Sequence, residues 1–274
     1  MSAEATTREL IYLYCVTKKA PRLKYVEKLA DKISFVYYQG LYAVVSKVKE
    51  SEFSAENLRK NLADLEWVKK QAGIHEKIIE GIMKDACVVP FKFGTIFDNE
   101  HNLKGCLAEN GKEFNDNLDR LRGREEWGVK IYFDAGKLRD FISGDSEEIL
   151  RIDKEIGSSP PGKGYFLKKK KEELLKKELN RKINECGQES FDRLAGKGLD
   201  ARINKLLPRE VTEREDDMIL NSAFLIDKNK VKDFKSEVDA IKGQFKEMGL
   251  CLDCTGPWPP YNFCKISKEK AKNG

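Results

Sequence analysis

The chain has 274 residues, 35% of them charged and 40% hydrophobic, with a formal net charge of +5. That length is enough for a sizeable core and exceeds one average domain, so two domains are expected. The longest apolar runs, Cys87–Pro90 and Ala223–Ile226, fall far short of the roughly 20 residues a membrane-spanning helix needs, and the first residues lack the apolar core of a signal peptide; the expectation is a soluble cytosolic protein.

The first half opens with "ELIYLYCV", a β-prone run, followed by a proline-started helix candidate, "PRLKYVEKLADK". "ISFVYY" and "LYAVVSKV" are separated by Gln39 and Gly40 and read as a hairpin. From Ser54, the residues Leu58, Leu62, Leu65, Ala72, Ile79 and Ile82 keep helical spacing, and "CVVPFKF" is a further strand. The order β-α-β-β-α-β is compatible with one antiparallel sheet covered by helices on one side.

After "GTIFDNE" a polar helix runs to about Arg122, and "EEWGVKIYF" alternates as a strand with one buried face. A short helical segment and the turn-rich "GSSPPGKG" lead into a long basic helix from about Tyr165 to Leu206. Its stretch Lys168–Lys182 holds eight basic and three acidic residues, a surplus equal to the whole net charge. Leu167, Leu174, Leu175, Leu179 and Ile183 give that helix an apolar stripe, so one face packs and the other is solvated. A strand in "EVTERED", the strands "MILNSAFLI" and "LCLDCT", and the helix "KNKVKDFKSEVDAIKGQFKEMG" complete a second β-α-β-β-α-β order. The expected fold class is α+β, with two domains each made of an antiparallel sheet carrying helices. An N-terminal domain spans residues 1–123, and a C-terminal domain of 124–274, containing the long basic helix, is expected to be ferredoxin-like.

Catalytic signals are weak. Gly157–Lys163 matches the start of a phosphate-binding loop, but Gly164 stands where the motif needs Ser or Thr, Pro160 and Pro161 remove two backbone donors, and "EEILRIDKEI" before it reads as helical. A nucleotide-binding enzyme using Gly157–Gly164 is kept as the alternative function. Cys251 and Cys254 form C-x-x-C on a strand, where residues three apart point to opposite faces about 10 Å from each other, so they share neither a bond nor a metal. The seven cysteines, odd in number and mostly in apolar runs, read as buried thiols. His75 reads as a polar or helix-packing residue, and neither it nor His101 stands beside a nucleophile. No catalytic residue, cofactor or metal is expected. The lysine-rich helix lacks the interleaved aromatics of an RNA site, although Lys168–Lys171 would carry such binding.

Two segments are poorly explained by packing alone: "VVPFKFGTIF" and "TGPWPPYNF", each taking a strand into a Gly or Pro turn surrounded by rings. Together with "YLYCV", "WGVKIYF", "GKGYFLKKK" and "LNSAFLID", they resemble the gas vesicle protein F and L family over nearly the whole chain. The resemblance implies a non-enzymatic accessory or minor structural protein of gas vesicles, located with them in the cytoplasm and acting in their assembly. It also implies contact with the very hydrophobic shell subunit and other accessory proteins, with no nucleic acid or membrane partner. Trp258 and Tyr261, then Phe93 and Phe97, are the partner-contact candidates.

Overall fold

In strand β1 (Glu9–Thr17) every residue from Tyr12 to Thr17 is buried, the pattern of a strand covered on both faces. The computed structural model describes residues 8–29 and 33–264. They divide into two units, the first running to Glu125 and resuming at Trp258, the second spanning Glu126–Pro257. The described residues Trp258–Cys264 therefore group with the first unit, whereas the sequence reading puts them in 124–274.

In the first unit β1 pairs antiparallel with β3 (Leu41–Lys49), and β3 with β2 (Ser34–Tyr38). Gln39 and Gly40 join β2 to β3 with positive φ values of 45° and 84°, the backbone that a tight hairpin turn requires. On its other edge β1 pairs with β4 (Val89–Pro90) and β5 (Ile96–Phe97), giving five strands. A register shift between Leu13 and Cys15 is a β-bulge that puts Tyr14 and Cys15 in one core cluster with Tyr12, while Leu13 and Val16 enter another.

Those clusters lie on opposite faces, so the expectation of helices on one side only is corrected. One contains Ile78, Ile79 and Ile82 of α3 (Leu65–Met83), and the other contains Leu103 and Leu107 of α4 (Glu100–Glu109) with Phe114 and Leu118 of α5 (Gly111–Leu121). The single helix expected from Ser54 is broken. After α1 (Glu50–Phe53), Ser54 caps α2 (Ala55–Asn61) by accepting from Asn57 N–H, and Asp64 caps α3 by accepting from Glu66 and Trp67 N–H. Leu62 and Leu65 at the break are consequently exposed.

Of the proline-started helix candidate, Leu23–Tyr25 forms one 3₁₀ turn, and residues 30–32 lie outside the described residues. Val26 just beyond it is fully buried against Gly81 of α3, where an added Cβ would come within 2.4 Å of Val26 Cγ1. Alanine is the better helix former by about 1 kcal/mol. Overpacking here is nevertheless expected to win, so Gly81→Ala should lower the urea midpoint, with a net loss of about 1–2 kcal/mol. A raised midpoint would show that Val26 yields without cost.

The second unit carries β6 (Arg124–Phe133), which begins two residues before it, then α6 (Ala135–Asp145), α7 (Glu147–Ser158), α8 (Pro161–Ala195), β7 (Asp200–Ile203), α9 (Arg209–Thr212), β8 (Asp217–Asp227), α10 (Val231–Phe245) and β9 (Leu250–Trp258). Its sheet order is β7-β8-β6-β9. Val129, Ile131, Phe224, Ile226, Phe234 and Ile241 form the centre of its core. The long helix ends earlier than expected, at Ala195. Gly196 and Gly198 follow, and Gly198 lies so near β8 that a Cβ would be 3.2 Å from Ile226 Cδ1 and 3.3 Å from Leu225 O. That approach turns the chain into β7. "EVTERED", expected as a strand, instead contains α9 and a left-handed Glu213, and the fourth strand is β7.

Candidate functional site

The segment after β9 is held by its own turn and by groups of the first unit. Pro259 and Pro260 are buried, Tyr261 N–H donates to Pro259 O (2.7 Å) and Cys264 N–H to Pro260 O (3.1 Å), so the prolines, which lack donors, serve as acceptors. Phe263 is 1% exposed, and Arg120 donates to its carbonyl. This segment is a strap whose apolar anchor is Phe263 and whose polar anchor is Tyr261.

The Tyr261 hydroxyl is 3.0 Å from Glu76 Oε1 and 3.1 Å from His75 Nε2. His75 Nε2 is also 3.0 Å from the Phe91 carbonyl, and Nδ1 is 3.0 Å from the Tyr12 hydroxyl. A carbonyl only accepts, which assigns the proton to Nε2. Nδ1 then accepts from Tyr12, whose oxygen takes the N–H of Gly94 (2.9 Å). The chain of bonds runs in one sense: Gly94 N–H to Tyr12, Tyr12 to His75, His75 to Phe91 O and Tyr261, Tyr261 to Glu76. Gly94 has φ +82°, the turn conformation that aims its N–H at Tyr12.

Burial sets the electrostatics. The imidazole pKa is lowered to about 4 by burial, partly offset by the bond to Phe91 O, so His75 is neutral at physiological pH. Burial raises the Tyr12 and Tyr261 hydroxyls, and it raises the Glu76 carboxyl against the opposing bond from Tyr261. Both ring nitrogens of His75 are engaged, and the arrangement is suited to joining strand, helix, turn and strap.

The four partner-contact candidates fare differently. Phe93 is half-buried, its ring 6.0 Å from His75 edge-to-face and 6.1 Å from Trp67. Phe97 is half-buried and pairs in register with Ile11. Tyr261 is half-buried and engaged as described, whereas Trp258, at the end of β9, is 40% exposed. Sequence reasoning missed Tyr12, His75 and Glu76 as a connected group. The available signal was the spacing of His75 from Ile78 and Ile79, which puts it on the buried helix face.

Gly157 and Ser158 close α7, and Pro161–Gly164 form the first turn of α8, with Gly164 N–H donating to Pro160 O at 2.8 Å. A phosphate cradle needs a strand before its loop, so the nucleotide alternative loses its structural basis. Cys251 and Cys254 are half-buried on β9, and burial raises the Cys254 thiol. His101 is exposed on α4. Among the described residues no three His, Cys, Asp or Glu side chains are grouped to hold a metal, and no helix is long and apolar enough to cross a membrane. A depression of about 270 Å³ is lined by Thr17, Lys18, Asp85, Cys87 and Arg122, and one of about 380 Å³ by Arg139, Glu172 and Lys176. Lys18 is paired with Asp119 (2.7 Å) and Arg139 with Glu172.

The class is thus an α+β protein of two sheet-and-helix units, the first closed by a returning strap. The chain belongs to the gas vesicle synthesis protein GvpL/GvpF family, whose model matches residues 10–265. Gas vesicle protein L of Streptomyces sp. (strain CB03234) is 26% identical over 84% of this chain and 82% of its own length. Gas vesicle protein F1 of Halobacterium salinarum is 25% identical over 94% of each. The crystal structure of GvpF from Anabaena sp. PCC7120 has a TM-score of 0.66 at 22% identity and covers 95% of this chain and 98% of that one, and that of GvpF from Microcystis aeruginosa scores 0.62 at 18% identity. The family places the chain among gas vesicle accessory proteins.

Proposed function

We propose that this chain is a non-enzymatic accessory or minor structural protein of the gas vesicle, acting in the cytoplasm during assembly by binding the hydrophobic shell subunit and other accessory proteins. Family membership along residues 10–265 carries this reading. Trp258 supports it physically: an exposed ring immediately before the buried Pro259 and Pro260 is presented with little freedom left to lose on binding. The exposed Leu199, Ile203, Leu206 and Val211 add apolar surface in the second unit, the chemistry an apolar subunit would cover. In this reading Tyr261, Phe93 and Phe97 shape and stiffen the surface on which Trp258 stands.

Trp258→Ser is expected to keep the wild-type circular dichroism spectrum and to lose at least tenfold in retention of co-expressed shell subunit on affinity beads, the scale of an aromatic anchor. Full retention by the folded variant would remove Trp258 from the interface. Against the enzyme alternative, magnesium–ATP is expected to give no binding heat in calorimetry, and Lys163→Ala no loss of vesicle formation.

A further inference from the structure

At the tip of the α7–α8 hairpin, Tyr165 and Phe166 are 68% and 71% exposed and touch each other edge to face, with ring centroids 5.9 Å apart. Lys163, Lys168, Lys169 and Lys170 surround them, all exposed. On a helix, residues three and four apart are neighbours. Tyr165 is thus flanked one turn on by Lys168 and Lys169, and Phe166 by Lys163, Lys169 and Lys170. None of these four lysines makes an ion pair among the described residues. Of the nearby acidic groups, Asp153 is engaged by Lys171 at 2.6 Å and Glu172 by Arg139, whereas Glu173, one turn on from Lys169 and Lys170, is exposed and makes no ion pair among the described residues. The tip therefore combines an exposed apolar pair with four lysines whose charge Glu173 offsets only in part.

We infer that this tip is a docking site for an acidic, leucine-bearing segment of a partner protein, its aliphatic side chains covering the two rings and its carboxylates meeting the lysines. Charge complementarity identifies the occupant's sign, and the rings supply anchors of the kind that dominate interfaces. Nucleic acid fits less well. Gly162–Lys170 holds no Arg, Asn or Gln to read base edges, and rings inclined at 77° offer no parallel plates for successive bases. An anionic membrane also fits less well. It needs a continuous apolar face, and Leu174, Leu175 and Leu179 of α8 are packed in the unit's own core. This site is built from other residues than Trp258, and the inference does not depend on which partner the shell-binding reading assigns to that ring.

The test uses the full chain and a fluorescein-labelled helical peptide of alternating Glu-Glu and Leu-Leu pairs, read by fluorescence anisotropy. Saturable binding is expected, with affinity falling about tenfold in Lys168→Gln/Lys169→Gln/Lys170→Gln and about tenfold in Tyr165→Ser/Phe166→Ser, each about 1.4 kcal/mol. A peptide with every Glu replaced by Gln should bind at least tenfold more weakly. Unchanged affinity in the ring variant would reduce the tip to a diffuse charge patch and overturn the inference. Absence of peptide binding would overturn it too, as would tighter binding of phosphatidylserine vesicles or of a polyuridine oligonucleotide. Should the ring variant lose helicity by circular dichroism, the lysine variant and the Gln peptide decide the matter.

Discussion

Phe263→Ala is expected to lower the unfolding free energy by about 3–5 kcal/mol, the range for truncating a fully buried aromatic ring. Phe263 is 1% exposed, and its carbonyl accepts from Arg120. The loss should be seen as a lower denaturant midpoint with little change in secondary structure at low urea. Tyr261→Phe, by contrast, removes only a hydroxyl and leaves Glu76 and His75 each short of one partner. Its cost is expected to be about 1–3 kcal/mol. If Phe263→Ala falls below 1 kcal/mol, the strap is not an anchored part of the first unit.

The second large effect is on pH dependence. His75 titrates at about 4 in the folded chain against an ordinary 6.5 when unfolded. Because the folded pKa is the lower one, the unfolded chain takes up more protons between those values, and stability falls as pH drops through that window. The contribution is fully present above about pH 6.5. The loss amounts to about 2 kcal/mol at pH 5 and about 3 kcal/mol near pH 4. Glu76, whose carboxyl is raised by burial, acts in the opposite sense, because the folded chain holds its proton to higher pH. Comparison with His75→Gln isolates the imidazole. The wild type should lose about 2 kcal/mol more than the variant between pH 7.5 and pH 5 in urea titrations. Equal losses would mean that the ring is not held neutral by its surroundings.

Strands and long helices were legible because their signal is local. "ELIYLYCV", "MILNSAFLI" and "EEWGVKIYF" became β1, β8 and β6 with shifts of a residue or two. What failed depended on partners distant in sequence. The apolar run of β1 reads as part of a sheet covered on one side, because the run itself does not say that α3 packs on one face and α4 and α5 on the other. The helix candidate at Pro21 yielded to a 3₁₀ turn because Val26 must reach Gly81 on α3. "EVTERED" has the composition of an exposed turn, and the true fourth strand at Asp200–Ile203 was hidden in what read as the tail of the basic helix. At the site, ring-rich turns were visible as unusual. Their division into an exposed Trp258 and inward-facing Tyr261, Phe93 and Phe97 was not, because it depends on His75 and Glu76, which lie almost two hundred residues from Tyr261.

The return of the chain to the first unit after Pro257 has a consequence for biosynthesis. Domains generally fold in order as they leave the ribosome, at about 5–20 residues per second. Here the earlier-made unit waits for later-made residues: until Tyr261 and Phe263 have been translated, Glu76 lacks its hydroxyl donor and the Phe263 niche stands unfilled. The second unit is complete by Pro257 and can mature earlier, so the order of maturation along the nascent chain is reversed, and a transcript cut short before the strap leaves the amino-terminal sheet, not the carboxyl-terminal one, as the unfinished part.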